Sequence, residues 1–228
     1  MFGNFLFLKK MQSLIILIGP PGSGKGVLCH SLNNQGFITL GSGETIRSYV
    51  QEKKNLEDEL AKRMSLAMEQ GLNINDDDLL FLLKEKITTL LQFNQKILGD
   101  GIMRTVVQAK MLEEIAVEAN IIILVFNLNI SLQEAQGRLA TRYYVGSVVY
   151  SSKAEAEANC SRGEKVIRRG DDKPYTINTR YGQYFNNKLD IESVCNQSPW
   201  FDLFQIDGEQ SKEKVYSDVN QIVTNRGL

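Results

Sequence analysis

Apolar positions along this chain fall into two kinds of run, and the alternation between them predicts the architecture. Short, bounded runs rich in Ile, Leu, Val and Phe occur at 14–18, 96–99, 121–126 and 203–206. Strands buried on both faces read this way, without the polar alternation of a half-exposed sheet. Longer stretches with helical spacing lie between them: Lys25 to Gln35, Thr45 to Glu52, Leu56 to Gln70, Asp76 to Leu91, Gln108 to Ala119 and Leu132 to Tyr143. Within two of these, Leu60, Met64, Leu66 and Ala67, then Leu79, Leu80, Leu82 and Leu83, read as packing faces rather than binding surfaces. Such alternation predicts an α/β fold, a parallel sheet with helices on both faces in three αβα layers. Residues 144–168 break the pattern. They hold no sustained period and are bracketed by arginines, and a stretch this long between helices reads as a mobile flap.

Composition narrows the class. With 228 residues, 43% of them apolar, the chain suits a single domain with insertions around a real core. A net charge of −1 speaks against a broad nucleic-acid surface, so an anion site has to be a local gathering of Arg and Lys. Cys29, Cys160 and Cys195 have neither disulfide-framework nor zinc-cluster spacing, and suit a reducing, cytoplasmic setting. His30, the single histidine, falls within the first helical stretch, which disfavours a histidine dyad or metal centre. The first ten residues are apolar but too short for a signal sequence or a membrane span, and read as a disordered extension or an upstream start. No nucleic-acid or membrane partner is expected, and the chain is expected to be a monomer.

The chemistry begins where the first strand runs into Gly19-Pro-Pro-Gly22-Ser23-Gly24-Lys25-Gly26. Gly19, Gly22 and Gly24 lack a Cβ, so the chain can turn tightly and aim successive N–H groups at one anion. The helix that follows adds its N-terminal partial charge, and Lys25 supplies a full one where nucleotide phosphates would lie. An ordinary tight turn is the bland alternative, and the strand–loop–helix context with this lysine disfavours it. The usual loop has Ser or Thr directly after the lysine; here Gly26 and then Val27 follow.

Four further signals stand in order behind the loop. Ser42-Gly43-Glu44 precedes Arg47; Asp100-Gly101-Ile102-Met103-Arg104-Thr105 precedes Gln108; Arg138 and Arg142 are spaced i, i+4, which predicts one helix face; and Arg169-Gly170-Asp171-Asp172 precedes Arg180. Any one of these arginines alone reads more naturally as a solvated surface charge. Their order does not.

Together the residues resemble the adenylate kinases, within the nucleoside monophosphate kinase family, from Leu14 to about Val223, where Ile206-Asp207-Gly208 and a following helix match the family's ending. The resemblance implies a parallel-sheet core with a monophosphate-binding segment at about 41–72 and a lid at about 143–168. It implies reversible phosphoryl transfer from Mg²⁺-bound ATP to AMP, giving two ADP. By resemblance, Gly19, Gly22, Ser23, Gly24, Lys25, Gly26 and Val27 hold the ATP phosphates, with Arg138 against the ATP adenine and Gln210 in the same site. Arg47 and Arg104 grip the AMP phosphate, Gly101 lies in that site, Gln108 bonds the AMP adenine, and Ser42 stands near the base. Asp100 holds magnesium through water. Lys25, Arg104, Arg142, Arg169 and Arg180 gather around the transferring group, Arg169 and Arg180 also touching AMP, and Asp171 and Asp172 position lid arginines.

Physical reasoning fits those roles. The acceptor is a phosphate oxygen ionised at neutral pH, so catalysis reduces to positioning and charge neutralisation, for which planar guanidinium forks suit phosphate oxygens.

The chain also departs from the family. Met103 replaces a proline that is often cis; because a cis bond before a non-proline residue costs ~3 kcal/mol, this turn is expected in trans. Cys160 stands alone where the family's lid has a cysteine cluster, so no structural zinc is expected. A kinase for UMP, CMP or GMP, and a nucleotide-binding regulator with weakened chemistry, are the alternatives; Ser42 and Gln108 favour adenine. Val27 lacks the hydroxyl that would reach phosphate or metal-bound water, which predicts reduced rather than abolished activity. Turnover of Val27→Thr should therefore exceed that of the parent in a steady-state assay; an equal or lower rate counts against the role.

Overall fold

Two apolar layers clamp one sheet, and the split between them begins in a single strand. In the computed structural model, which describes residues 14–53, 57–72, 74–146, 148–168, 170 and 172–228, β1 (Leu14–Ile18) is buried along its whole length. Successive side chains of a strand point to opposite faces. Leu14, Ile16 and Ile18 accordingly pack on one side of the sheet, and Ile15 and Leu17 on the other. A strand that feeds two cores has no polar face, which is why its sequence is an unbroken apolar run.

The sheet is parallel throughout, with β1 in the middle of the order β2-β3-β1-β4-β8. Its other strands are β2 (Phe37–Gly41), β3 (Lys96–Asp100), β4 (Ile123–Asn129) and β8 (Phe201–Asp207). Helices α1 (Lys25–Asn33) and α9 (Lys212–Asn225) cover one face through Leu28, Leu32, Val215, Val219 and Val223. On the opposite face lie α2 (Ser42–Glu52), α3 (Glu59–Gln70), α4 (Asp76–Gln92), α5 (Val106–Ala119) and α8 (Pro174–Gln197), all of which contribute buried residues to that core. This is the expected three-layer arrangement.

Local chemistry sets the helix ends. Asn75 caps α4 by accepting from the N–H groups of Asp77 and Asp78, and three aspartates in the first turn oppose the helix dipole. Leu79, Leu83, Ile87 and Leu91 then recur every fourth residue and are all buried. Thr105 caps α5 by accepting from Gln108 N–H, and Asn120 closes it in the left-handed conformation.

Three expectations need correction. β2 is a strand absent from the apolar runs above: it lies at the sheet edge, its run Phe37-Ile38 is interrupted by Thr39, and only Phe37 and Leu40 are buried. α6 spans Leu132–Ala140 and stops before Tyr143, with Thr141 at its C-cap, so Arg138 and Arg142 do not share a helix face. Residues 144–168 are not patternless: β5 (Tyr143–Val145), β6 (Val148–Tyr150) and β7 (Val166–Ile167) form a small antiparallel sheet in the order β6-β5-β7, with α7 (Lys153–Ala158) between β6 and β7. Strands of two or three residues are too short to show a period. The opening residues 1–10 lie outside the described residues.

Phe126 is fully buried in β4 and stacks on Phe204 of β8, ring centroids 5.4 Å apart. Phe126→Ala should cost about 4 kcal/mol of stability, read from urea unfolding midpoints. A loss under about 1 kcal/mol would show that this layer repacks freely.

Candidate active site

Parallel strands deliver their chains to one edge of the sheet, and the loops meet there. Leu17 is in register with Asp100, and Asp100 with Gly41, so the loop after β1, the acid ending β3 and the start of α2 share that edge. Such crevices at strand C-termini are where open α/β sheets bind ligands. A cleft of about 1140 Å³ opens there.

Its floor is the glycine loop. Gly19, Gly22 and Gly24 have φ values of 147°, 83° and 95°. At Gly19 the reason is also steric, since a Cβ would lie 2.6 Å from the Leu128 carbonyl oxygen. Lys25 folds back over the loop, its Nζ donating to the carbonyls of Gly19 (2.8 Å) and Pro20 (2.9 Å) and to Ser23 Oγ (3.2 Å). Desolvation lowers its pKa from 10.5 to about 8; nearby Asp100 raises it, while Arg104 and Arg180 lower it further. Those two guanidiniums therefore sit within electrostatic reach of the lysine. Burial pushes the neighbouring Cys29 thiol far above its usual range, and Asp100 adds to the effect.

The turn after β3 forms one wall. Gly101 has φ 67°, and a Cβ there would lie 2.6 Å from Arg104 Nη2, so glycine lets the guanidinium fold over the turn. Arg104 Nε donates to the Gly101 carbonyl at 2.9 Å, and Ser42 Oγ donates to that same oxygen at 2.7 Å. The turn is made in trans, as expected with Met103 in it, and no cis bond occurs among the described residues. Gln108 is almost fully buried, with its amide already engaged: Nε2 donates to Asp76 Oδ1 at 2.7 Å, and Oε1 accepts from Arg104 N–H at 2.7 Å.

The far wall comes from α6, α8 and the small sheet. Arg138 is paired with Glu134 at 2.6 Å and donates weakly to the Gly22 carbonyl at 3.4 Å. Arg142 forms a two-pronged ion pair with Asp172, whose side chain is 1% exposed, and its guanidinium lies over the Tyr144 ring at 5.2 Å. Helix α8 is anchored to the sheet by Tyr184, whose hydroxyl donates to Asn127 Oδ1 at 2.8 Å, and by Lys188, whose Nζ donates to Asn129 Oδ1 at 2.7 Å.

Of the residues singled out from sequence, Gly19, Gly22, Ser23, Gly24, Lys25, Gly26, Val27, Ser42, Arg47, Asp100, Gly101, Arg104, Gln108, Arg138, Arg142, Arg180 and Gln210 all line this one cleft. Arg138 and Arg142 reach it from different elements. Arg169 and Asp171 lie outside the described residues. Sequence reasoning missed Tyr184 and Lys188, which follow Arg180 at four-residue intervals on α8, Tyr144, Val149 and Tyr150 of the small sheet, and Ser151 just after it. Pro174 at the helix start was the available signal for α8. Among the described residues, no group of three or more His, Cys, Asp or Glu side chains is placed to hold a metal, and no helix is long and apolar enough to cross a membrane.

A parallel sheet with a glycine loop and its lysine at the central strand defines a phosphate-loop nucleotide-binding fold. The sequence model of the family described as adenylate kinase matches residues 17–196. An adenylate kinase of Mesoplasma florum is 31% identical over 214 residues, 90% of this chain and 97% of the relative. Another, from Chloroherpeton thalassium, is 28% identical over 92% of this chain and 98% of the relative, and adenylate kinase 2 of Schistosoma mansoni is 26% identical over 93% and 89%. The chain belongs to the adenylate kinase family, and so is a nucleoside monophosphate kinase, a phosphotransferase.

Lys25 gives the site a pH signature. Its folded pKa lies below its unfolded one, so between about 8 and 10.5 the unfolded chain binds more protons and this residue's contribution to stability rises with pH. Cys29 and Tyr184, whose pKa values are raised, act in the opposite direction over alkaline pH. The informative quantity is therefore the difference between parent and Lys25→Met in urea unfolding from pH 7 to 10.5. The parent should gain relative to the variant across that range; a constant difference would show that the lysine is not desolvated.

Proposed function

We propose that the enzyme catalyses Mg²⁺-ATP + AMP ⇌ 2 ADP. The observation that carries this reading is the convergence of Lys25, Arg47, Arg104, Arg138, Arg142 and Arg180 on one cleft that also holds Asp100. Two nucleotides brought end to end carry several repelling negative charges, and few other ligands call for so many fixed cations. Full-length relatives named adenylate kinase support the same substrate pair.

In this reading the loop N–H groups and Lys25 hold the β- and γ-phosphates of ATP. Ser23, Val27, Arg138 and Gln210 complete that side. Arg47 and Arg104 hold the AMP phosphate, and Gln108 and Ser42 face its base. An AMP phosphate oxygen attacks the γ-phosphorus; that P–O bond forms as the bond from the γ-phosphorus to the β,γ-bridging oxygen breaks, and ADP leaves. The attacking oxygen is already ionised, so no side chain has to remove a proton. Arg142, Arg169 and Arg180 neutralise the charge that spreads over the equatorial oxygens.

Asp100 is half-buried at the end of β3, close enough to Lys25 to raise its pKa, and lines the cleft with it. That suits magnesium, which takes one or two carboxylates, several waters and substrate phosphates. When bound, the ion would supply charge neutralisation to the substrate phosphates. Asp100 would hold its water shell, and no zinc is required. Residues 143–168 act as a lid, because Tyr144, Val149, Tyr150 and Ser151 already line the cleft, and closure keeps water from the γ-phosphate.

A coupled assay with ATP and each monophosphate tests the substrate directly, with AMP expected to be preferred. ATP binding without phosphorylation of any monophosphate would instead support a regulator. Lys25→Met and Arg104→Ala should each lower kcat/KM by ~10³-fold with the fold intact by circular dichroism. A variant near parental activity removes that residue from the mechanism.

A further inference from the structure

Asp76 does not line the cleft; it stands behind Gln108, which does. We infer that Asp76 is a positioning residue that fixes the polarity of the Gln108 amide and thereby selects the base of the monophosphate. The inference rests on the proposed AMP site and goes beyond it.

The argument is one of donors and acceptors. A carboxylate can only accept and a backbone N–H can only donate. Gln108 Nε2 donates to Asp76 Oδ1 at 2.7 Å, while Oε1 accepts from Arg104 N–H at 2.7 Å. Turning the amide over would set oxygen against the carboxylate and N–H against N–H. Asp76 is itself held, because Thr105 Oγ1 donates to its two oxygens at 2.9 and 3.0 Å. The same Thr105 oxygen accepts from Gln108 N–H at 3.2 Å as the cap of α5. A closed lock thus joins the first turns of α4 and α5, and Gln108 is almost wholly enclosed in it.

An amide has two N–H groups and an oxygen with two lone pairs. The lock uses one of each, leaving one donor and one acceptor in fixed places. Adenine presents an acceptor, N1, beside a donor, the 6-amino group. Hypoxanthine has the same size and shape but reverses them, with N1–H beside the 6-oxo group. A locked amide favours the first; one free to turn can serve either.

The test compares kcat and KM for AMP and for IMP at saturating ATP, in the parent and in Asp76→Ala. Loss of a charge-assisted hydrogen bond predicts that the AMP-to-IMP ratio of kcat/KM falls about tenfold or more. The change should appear mainly in the KM for AMP, with the KM for ATP unchanged. Asp76→Asn, which keeps one acceptor oxygen, should recover part of the ratio. If the alanine variant does not fold, Asp76→Ser repeats the test, being polar at the helix start yet one atom too short to reach the amide. A ratio unchanged by removing the carboxylate, or a loss shared equally by both substrates, overturns the lock while leaving the proposed reaction standing. A parent enzyme with no preference for AMP over IMP overturns the substrate assignment and the lock together.

Discussion

A parallel sheet buried on both faces imposes one condition from which the rest of this molecule follows: every strand must hand its chain on at the same edge. β1 lies at the centre, with β3 on one side and β4 on the other, and feeds two separate apolar layers. None of its side chains is available for chemistry. What the sheet supplies is position. Registered strand ends bring the glycine loop, Asp100 and Ser42 to one line, and the helices that cover the sheet then carry arginines to the same edge from elsewhere in sequence.

Gathering cations before any substrate arrives has a cost in repulsion and desolvation, and the protein meets it with local acceptors. Lys25 lies among the carbonyls of its own loop, Arg104 against the Gly101 carbonyl, and Arg142 against the buried Asp172. Removing one partner of a buried ion pair typically costs about 3–5 kcal/mol because the other charge is stranded, and here Asp172 is the enclosed charge that Arg142 compensates. Burial, with Arg104 and Arg180 near, still lowers the Lys25 pKa to about 8, against the pull of Asp100.

How much of this could be read beforehand depended on whether the physics is local. The strand–loop–helix run at 14–33 is dictated by adjacent residues, and it forms as the sequence indicates. Leu79 to Leu91 declare a helix by spacing and cap alone. β2 was hidden because Thr39 breaks its short apolar run at the sheet edge, and β5, β6 and β7 because a period cannot show in two or three residues. The arginines were legible as candidates through a family resemblance, yet only the fold brings Arg104 and Arg180 near Lys25. Asp76 gave no signal at all, since its role depends on a contact between residues 32 positions apart.

The lysine that bends over its own loop turns the phosphate cradle into an exchange site instead of an open vacancy. Any incoming anion has to outbid two carbonyls and a hydroxyl that already satisfy the ammonium group. In the proposed reaction a phosphate oxygen of ATP would take the place of those acceptors, so nucleotide entry and release of the lysine from its loop become one event.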